Sequence, residues 1–359
     1  MDFALNEEQE MLQETLRGFA EKECPTTRVR ELFDVGQGHD PKLWSGLAEI
    51  GIAGLAIPEA QDGAGLELLD VALAAEVFGW AGLPGPFLVH SIAALGVLAA
   101  GREAEQGSIL PALASGESIA TIAFQEDDRG FAPSDWQTRF ADGRVTGVKT
   151  IVSHASIADW MLVGVAGGRL AWVDVAAGGV EALDMGGVDR ARPIAQVRFD
   201  GARGQLLSGG PDASERTLDA ASVLLAADAF GAATRLIELD VAYSQSREQF
   251  GQPIAQFQAI KHAIARMGTE IEPSRGLWWY AAHALDRRDA DASRQASIAK
   301  AHITDRAMDV ARQSVELHGG YGFTWECEVQ MWFKRIMFDR SFLGTPEQHR
   351  ERSARLGGW

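Results

Sequence analysis

Between residues 116 and 208 the chain changes its hydrophobic period, and this limits the fold more than any other feature. The runs TIAFQ, WQTRFA, GRVTGVKTIVSHA, ADWMLVGVAG, GRLAWVDV and ARPIAQVRFD are short and separated by Gly, Asp or Pro, as β-strands joined by tight turns are. Asp142-Gly143 and Gly167-Gly168 read as hairpin turns. On both sides helical spacing takes over. Asn6 and Gln9 form a capping box before an apolar stripe of Met11, Leu12, Leu16 and Phe19, and Pro25 bounds that helix. LWSGLAEIGI, LLDVALAAEVFGWAG and FLVHSIAALGVLAAG continue the helical pattern, rich in Ala and Leu. After SGGPDAS, long helical runs cover Leu218–Arg247, Ile254–Ala284 and Ser293–Leu317. The expectation is an α+β chain of three domains: helical over 1–115, β over 116–208, helical over 209–359.

Composition narrows the function classes. Against 50 Asp and Glu stand 33 Lys and Arg, a net charge of -17, which lacks the basic footprint of a nucleic-acid binder. The 46% hydrophobic fraction supports a packed core. Two distant cysteines, Cys24 and Cys327, suit neither a disulfide framework nor a metal site. MDFALNEEQE has no basic n-region, and no apolar run is expected to approach the ~18 residues of a membrane span. A cytoplasmic chain without membrane insertion is expected.

Two later segments carry chemistry. In SREQFGQPIAQFQAIKHAIARM, Arg247 ends one helix, Phe250-Gly251 breaks the chain, and Pro253 opens the next helix with Gln256, Phe257 and Gln258 in its first turns. A guanidinium at such a junction can neutralise a diphosphate, and an aromatic ring can pack on a flat heterocycle. In VELHGGYGFTWECEVQMWFKR a helix ends at His318, and Gly319, Gly320 and Gly322 let backbone approach a ligand closely. Neither is a Walker or a GxGxxG motif. Singly, each reads equally as an ordinary helix break, with His318 a capping or packed histidine.

Together, REQFGQPIAQFQ followed about 60 residues later by ELHGGYGFTWE resembles the acyl-CoA dehydrogenase family. GIAGLAIPEAQDGAG resembles its N-terminal element and DGRVTGVKTIVSHASIADWMLV its central strand pair, so the likeness covers most of the chain. The resemblance implies an N-terminal helical domain, a central β-barrel-like domain and a C-terminal four-helix bundle. It implies FAD held across a subunit interface of a dimer or tetramer, an acyl-CoA thioester as substrate, and an electron-transfer flavoprotein as acceptor. Matched by position, Arg247 and Phe250 would contact the diphosphate and adenine region of a neighbour's FAD, with Gln258 nearby. Glu316, Gly319 and Gly320 would line that cofactor from the partner chain, Glu316 standing where Gln is frequent. Gln125 and Ser153 align with flavin-contacting positions, Ile151 replaces a frequent Trp, and FQEDDRGFAPSD departs from the family's TEP..GSD pattern.

The family's base removes a proton alpha to a thioester, which requires a carboxylate. It is a Glu before the Gly of a YEGT element; the matching stretch here, RSFLGTPEQHR, has Leu343. A second family position, on an earlier helix, falls at about Ala221, with Ser222 where a substrate-contacting Arg is frequent. Asp219 lies two residues off, about 200° around a helix. Three readings stay open. Asp219 serves, if the match shifts; Asp228, Asp339 or Glu347 is an unusual base; or a different subunit carries the glutamate. The last is the arrangement of α2β2 acyl-CoA dehydrogenases of bacterial steroid degradation, which short chains with a tail like LGTPEQHRERSARL resemble. The expected function is α,β-dehydrogenation of a steroid-derived acyl-CoA by such a heteromer. A homomeric enzyme with a non-standard base and a non-catalytic scaffold subunit are the alternatives.

Overall fold

A computed structural model describes residues 4–127 and 130–359. Six helices precede the sheet: α1 (Glu7–Glu23), α2 (Thr26–Val35), α3 (Pro41–Glu49), α4 (Leu68–Ala81), α5 (Phe87–Ala100) and α6 (Glu103–Ala114). The capping box opens α1: the Gln9 N–H donates to Asn6 Oδ1 at 2.8 Å, and the Asn6 N–H donates to Gln9 Oε1 at 3.2 Å. Helices α4 and α5 are buried nearly all round, as their near-continuous apolar sequences require.

The sheet contains β1 (Ala120–Ala123), β2 (Arg139–Ala141), β3 (Arg144–Ser153), β4 (Trp160–Val165), β5 (Arg169–Asp174), β6 (Val180–Asp184) and β7 (Ile194–Leu206). Their order is β1-β4-β5-β7-β3-β2, with β6 also on β7. Asp142-Gly143, with φ of 51° and 72°, makes the β2–β3 hairpin. The expected β domain is present as a mixed sheet whose path ends on β1 and β2, without closure into a true barrel being shown. One hydrogen bond, from the Thr150 N–H to the Gln125 C=O at 2.9 Å, reaches from β3 toward the chain leaving β1. A register shift between Lys149 and Val152 interrupts β3 there, with Ile151 at φ 52°. Strand β6 has no apolar run to announce it; its side chains are largely exposed.

The C-terminal region holds α7 (Pro211–Ser246), the short strands β8 (Glu248–Gln249) and β9 (Gln252–Pro253), then α8 (Gln258–Ile271), α9 (Arg275–Asp286), α10 (Ala292–Leu317), α11 (Val329–Ser341) and α12 (Pro346–Leu356). The run expected as one helix over Ile254–Ala284 starts at Gln258 and is divided around Pro273, which cannot donate to the helical ladder. Helices α7, α8–α9, α10 and α11 pack as four members around one core, and α4 lies along α7. Contrary to the sequence expectation, α7 is long and apolar enough to cross a membrane by length and composition. Its apolar window is 83% buried inside the fold, so core packing accounts for the composition.

Helices α4 and α7 approach through glycine: a Cβ on Gly231 would run into the Glu76 carbonyl, and one on Gly79 into the Asp228 carbonyl. A buried ionic network then ties sheet to helices. Arg192, just before β7, donates to Asp228 Oδ2 of α7 at 2.6 Å and to Asp339 of α11. Arg335 of α11 donates to both Asp228 oxygens, at 2.8 and 2.7 Å, and to the Leu83 carbonyl after α4 at 2.9 Å. Burial favours the neutral form of Asp228, but the two guanidiniums win and hold its pKa at about 2.

Gly231→Ala is expected to lower stability by about 1–3 kcal/mol through overpacking. Gly107→Ala, in α6 with nothing within 4 Å of the added carbon, should be neutral or stabilising; chemical denaturation compares them. His90 (pKa about 4), His154 (about 3) and His349 (about 3) are kept neutral by burial. Between those values and ~6.5 the unfolded chain binds more protons, so stability falls as pH drops, by up to about 1.4 kcal/mol per pH unit for each histidine. The denaturation midpoint should fall steeply below about pH 6, and less steeply in His349→Gln. An acid-insensitive midpoint would contradict the buried neutral rings.

Candidate functional site

The end of α7 and the turn after α10 build an open groove. The Arg247 N–H donates to the Tyr243 carbonyl at 2.8 Å, and the Arg247 carbonyl accepts from the Ile254 N–H at 2.8 Å. Between them β8 pairs with β9 around Phe250-Gly251, whose φ angles are 54° and 79°. A two-residue hairpin with both central residues left-handed is the type I′ class, and a phenylalanine there is strained. The turn leaves Phe250 93% exposed. Opposite, Gly319 sits at φ 60°, and a Cβ on Gly319 or Gly320 would meet nothing within 4 Å, so bare backbone faces open space. Tyr243, Arg247, Ile254, His318, Gly319 and Gly320 are among the residues around a cavity of about 690 Å³.

The resemblance assigned Arg247 and Phe250 to one chain and Glu316, Gly319 and Gly320 to its partner. In this chain, Arg247, Gly319 and Gly320 lie around one groove. The reason is that α7 and α10 run parallel: Ser293 Oγ donates to Asp219 at 2.6 Å, and Ser314 Oγ donates to Asp240 at 2.7 Å. Their C-terminal ends therefore meet. Phe250, Gln258 and Glu316 are exposed and outside the cavity's lining. Gln256 and Phe257 lie before α8 rather than in it. Sequence reasoning missed Tyr243, although one turn before Arg247 the i, i+4 spacing puts both on one face.

Gln125 and Ser153 lie elsewhere. Ser153 pairs with Ile194, next to the Arg192 segment that holds Asp228 midway along α7. From Asp228, Arg247 is about 28 Å further along that helix at 1.5 Å per residue. Gln125 Oε1 is buried and has no hydrogen-bond partner among the described residues. Ser153 is buried, with Oγ 2.9 Å from His154 Nδ1, while His154 Nε2 is 3.1 Å from the Gly38 carbonyl. The carbonyl can only accept, so Nε2 carries the proton and the serine hydroxyl donates to Nδ1.

The base position is closed. Leu343 is 1% exposed at φ 55°. A Cβ on the adjacent Gly344 would come within 2.7 Å of the Phe131 ring and 2.9 Å of His349 Nε2. The Phe131 and His349 ring centroids are 4.8 Å apart with the rings tilted by 31°, and His349 Nε2 donates to the Leu343 carbonyl at 3.0 Å. No motif or spacing marked either residue as a neighbour of this turn. The alternative carboxylates are engaged. Asp219 accepts from Arg352 at 2.7 Å and from Ser293 at 2.6 Å. Asp228 is held by two arginines. Asp339 has burial, with Asp228 alongside, pushing its pKa well up against the pull of Arg192, and its Oδ2 has no partner among the described residues; it is fully buried. Glu347 is exposed and paired with Arg340 at 2.9 Å.

The profile of the acyl-CoA dehydrogenase N-terminal domain matches residues 6–117, and that of the C-terminal domain matches residues 208–357. This chain belongs to the acyl-CoA dehydrogenase family. It is similar to acyl-CoA dehydrogenase IpdE2 of Mycolicibacterium smegmatis, 32% identical over 97% of this chain and 98% of the relative. Among solved structures it resembles the Tcur3481-Tcur3483 steroid ACAD variant, with TM-score 0.91, 29% identity and 98% of each chain covered. The ChsE4-ChsE5 complex from Mycobacterium tuberculosis shares the fold, with TM-score 0.91, 24% identity and coverage of 100% of this chain and 99% of that one.

The cofactor of this acyl-CoA dehydrogenase is FAD, and the residues present fit it in two places. The groove offers a guanidinium and bare glycine backbone to a diphosphate. In the β domain, the orphaned Gln125 Oε1 can accept from a ring N–H. Among the described residues no cluster of His, Cys, Asp or Glu could hold a metal ion.

Arg247→Ala should reduce FAD retained per polypeptide after gel filtration by about tenfold, from loss of a charge-assisted contact. Arg247→Lys should retain more, having the charge without the fork. Equal flavin content in all three proteins would remove Arg247 from the cofactor site.

Proposed function

We propose that this chain is the base-lacking subunit of a heteromeric, FAD-dependent acyl-CoA dehydrogenase that converts a steroid-derived acyl-CoA to its 2-enoyl thioester. An electron-transfer flavoprotein takes the electrons onward, and the proposed assembly is an α2β2 tetramer. The observation that carries this reading is the contrast between the two sites: the Arg247–Gly320 groove is open and charged, whereas Leu343 is apolar and buried, with Phe131 and His349 against the adjacent Gly344.

Dehydrogenation separates into proton removal at the alpha carbon and hydride loss at the beta carbon. FAD, when bound, supplies the hydride acceptor. Proton removal needs a carboxylate beside the alpha carbon in a dry pocket. Leu343 cannot accept a proton, and Asp219 and Asp228 are tied up by arginine. The chain's own residues are thus suited to holding the cofactor: Arg247 compensates the diphosphate charge, and Gly319-Gly320 admits it to the backbone. The separation of about 28 Å between the Asp228 level and Arg247 supports a cofactor whose two ends rest on two chains. The steroid assignment is supported by the likeness to a structure described as a steroid ACAD formed from two named proteins.

The test is to purify the chain alone and co-expressed with its partner subunit, then measure flavin content and dehydrogenation of a panel of CoA thioesters. Activity is expected only in the co-expressed preparation; full activity from the single chain would overturn the proposal. Asp219→Asn in the complex should leave turnover unchanged while lowering stability, because Arg352 loses its buried partner. A drop in turnover greater than about 100-fold, with the fold intact, would instead make Asp219 the base.

A further inference from the structure

The groove contains a histidine–carboxylate pair that the holding of a diphosphate by Arg247 and glycine backbone leaves without a role. His318 caps α10. Its Nδ1 lies 2.9 Å from the Ser314 carbonyl and 3.3 Å from Asp240 Oδ1. Both partners are acceptors, so Nδ1 carries the proton in either charge state of the ring. Asp240, on α7, is fully buried, and its other oxygen accepts from Ser314 Oγ at 2.7 Å. Tyr243 stacks on the imidazole at 4.1 Å and 23°, fixing its plane. Nε2 makes no hydrogen bond among the described residues, and the ring lines the same cavity as Arg247, Gly319 and Gly320.

We propose that His318 is a cofactor-binding residue that, as an imidazolium oriented by Asp240, donates its Nε2–H to the anionic diphosphate of FAD and makes cofactor binding proton-linked. The inference rests on the reading of this groove as the FAD diphosphate site. Asp240 is the positioning residue: it fixes the tautomer and balances the imidazolium charge. Burial opposes the charged ring, but the Asp240 and Ser314 contacts outweigh it and raise the His318 pKa above its ordinary value. The other titratable or charged groups lining the cavity are Tyr243 and Arg247 from α7 and Tyr321 in the following turn; Cys327, before α11, interacts with Asp240 and Tyr321, and Glu316 on α10 is exposed and outside the lining. Burial moves Tyr321 and Cys327 to higher pKa, away from neutrality. An anion placed at Nε2 raises the His318 pKa further. Binding therefore takes up a proton, and affinity falls as pH rises through the window between the free and bound values.

The experiment measures FAD dissociation constants for the co-expressed complex from about pH 6 to about pH 8.5, with calorimetry in buffers of different ionisation enthalpy to count protons. The parent should lose affinity by at least about fivefold across that range and take up protons on binding. His318→Gln should bind more weakly at the acid end, with a flat profile and no His-linked uptake. Asp240→Asn should move the midpoint to lower pH, since the stabilising carboxylate is gone. Parallel profiles and equal proton uptake in parent and His318→Gln would overturn the inference while leaving FAD binding in place. Absence of FAD binding by the parent complex at every pH would overturn the groove assignment itself. If His318→Gln does not fold, the parent's own proton count decides: no uptake rejects the proposal.

Discussion

Arg192 carries a positive charge out of the sheet and into the helical core, and the relative placement of the layers depends on where that charge is received. Asp228 of α7 and Asp339 of α11 take it up, while Arg335 of α11 clamps Asp228 from another side and reaches the carbonyl of Leu83. Four parts of the chain, the segment before β7, α7, α11 and the turn after α4, thereby meet in one buried ionic network. Bringing such charges out of water is costly, and breaking one partner away costs about 3–5 kcal/mol. The arrangement is therefore all or nothing: α7 and α11 cannot slide along the sheet without stranding a charge. Glycine contacts between α4 and α7 fix the remaining freedom sterically.

This anchoring also explains how a reaction site can lose its chemistry and keep its shape. Helix α11 is held through Arg335 and Asp339, and the chain leaves it into Leu343 and Gly344 at φ 55° and 105°. A non-glycine residue in the left-handed region persists only where surroundings over-determine it. The turn that would present a base is still made, but it carries a buried leucine, with Phe131 and His349 packed against the adjacent Gly344. Two parts of one fold have thus diverged, a catalytic corner packed shut and a cofactor-facing groove left open.

Much of this organisation was legible from the residues. The Asn6–Gln9 cap, the Asp142-Gly143 turn and the long helices each rest on local signals, and local signals survive folding. The helix break at Arg247 and the glycines after His318 were equally visible, because backbone permissiveness is written into residue type. The sharing of one groove by those segments was not visible, since it follows from the parallel packing of α7 and α10. Strand β6 was lost because its side chains face water and show no apolar run. The irregularity of β3 at Ile151 was not legible, because it is a backbone feature that side-chain type alone does not encode. Asp219 and Asp228 looked like free carboxylates because their arginine partners lie far away in sequence.

The length of α7 has a consequence for the population of loaded protein. Its 36 residues set the level of Gln125 and Ser153 and the Arg247 groove apart along one rigid rod. In the proposed assembly a dinucleotide spanning two chains would couple two equilibria, cofactor capture and chain association, with reciprocal free energies. By mass action, dilution would then strip flavin and excess flavin would oppose dilution, each following the concentration of the other. The flavin spectrum would become a gauge of assembly, and a substitution at a distant subunit contact would bleach the protein without touching the residues that hold the cofactor.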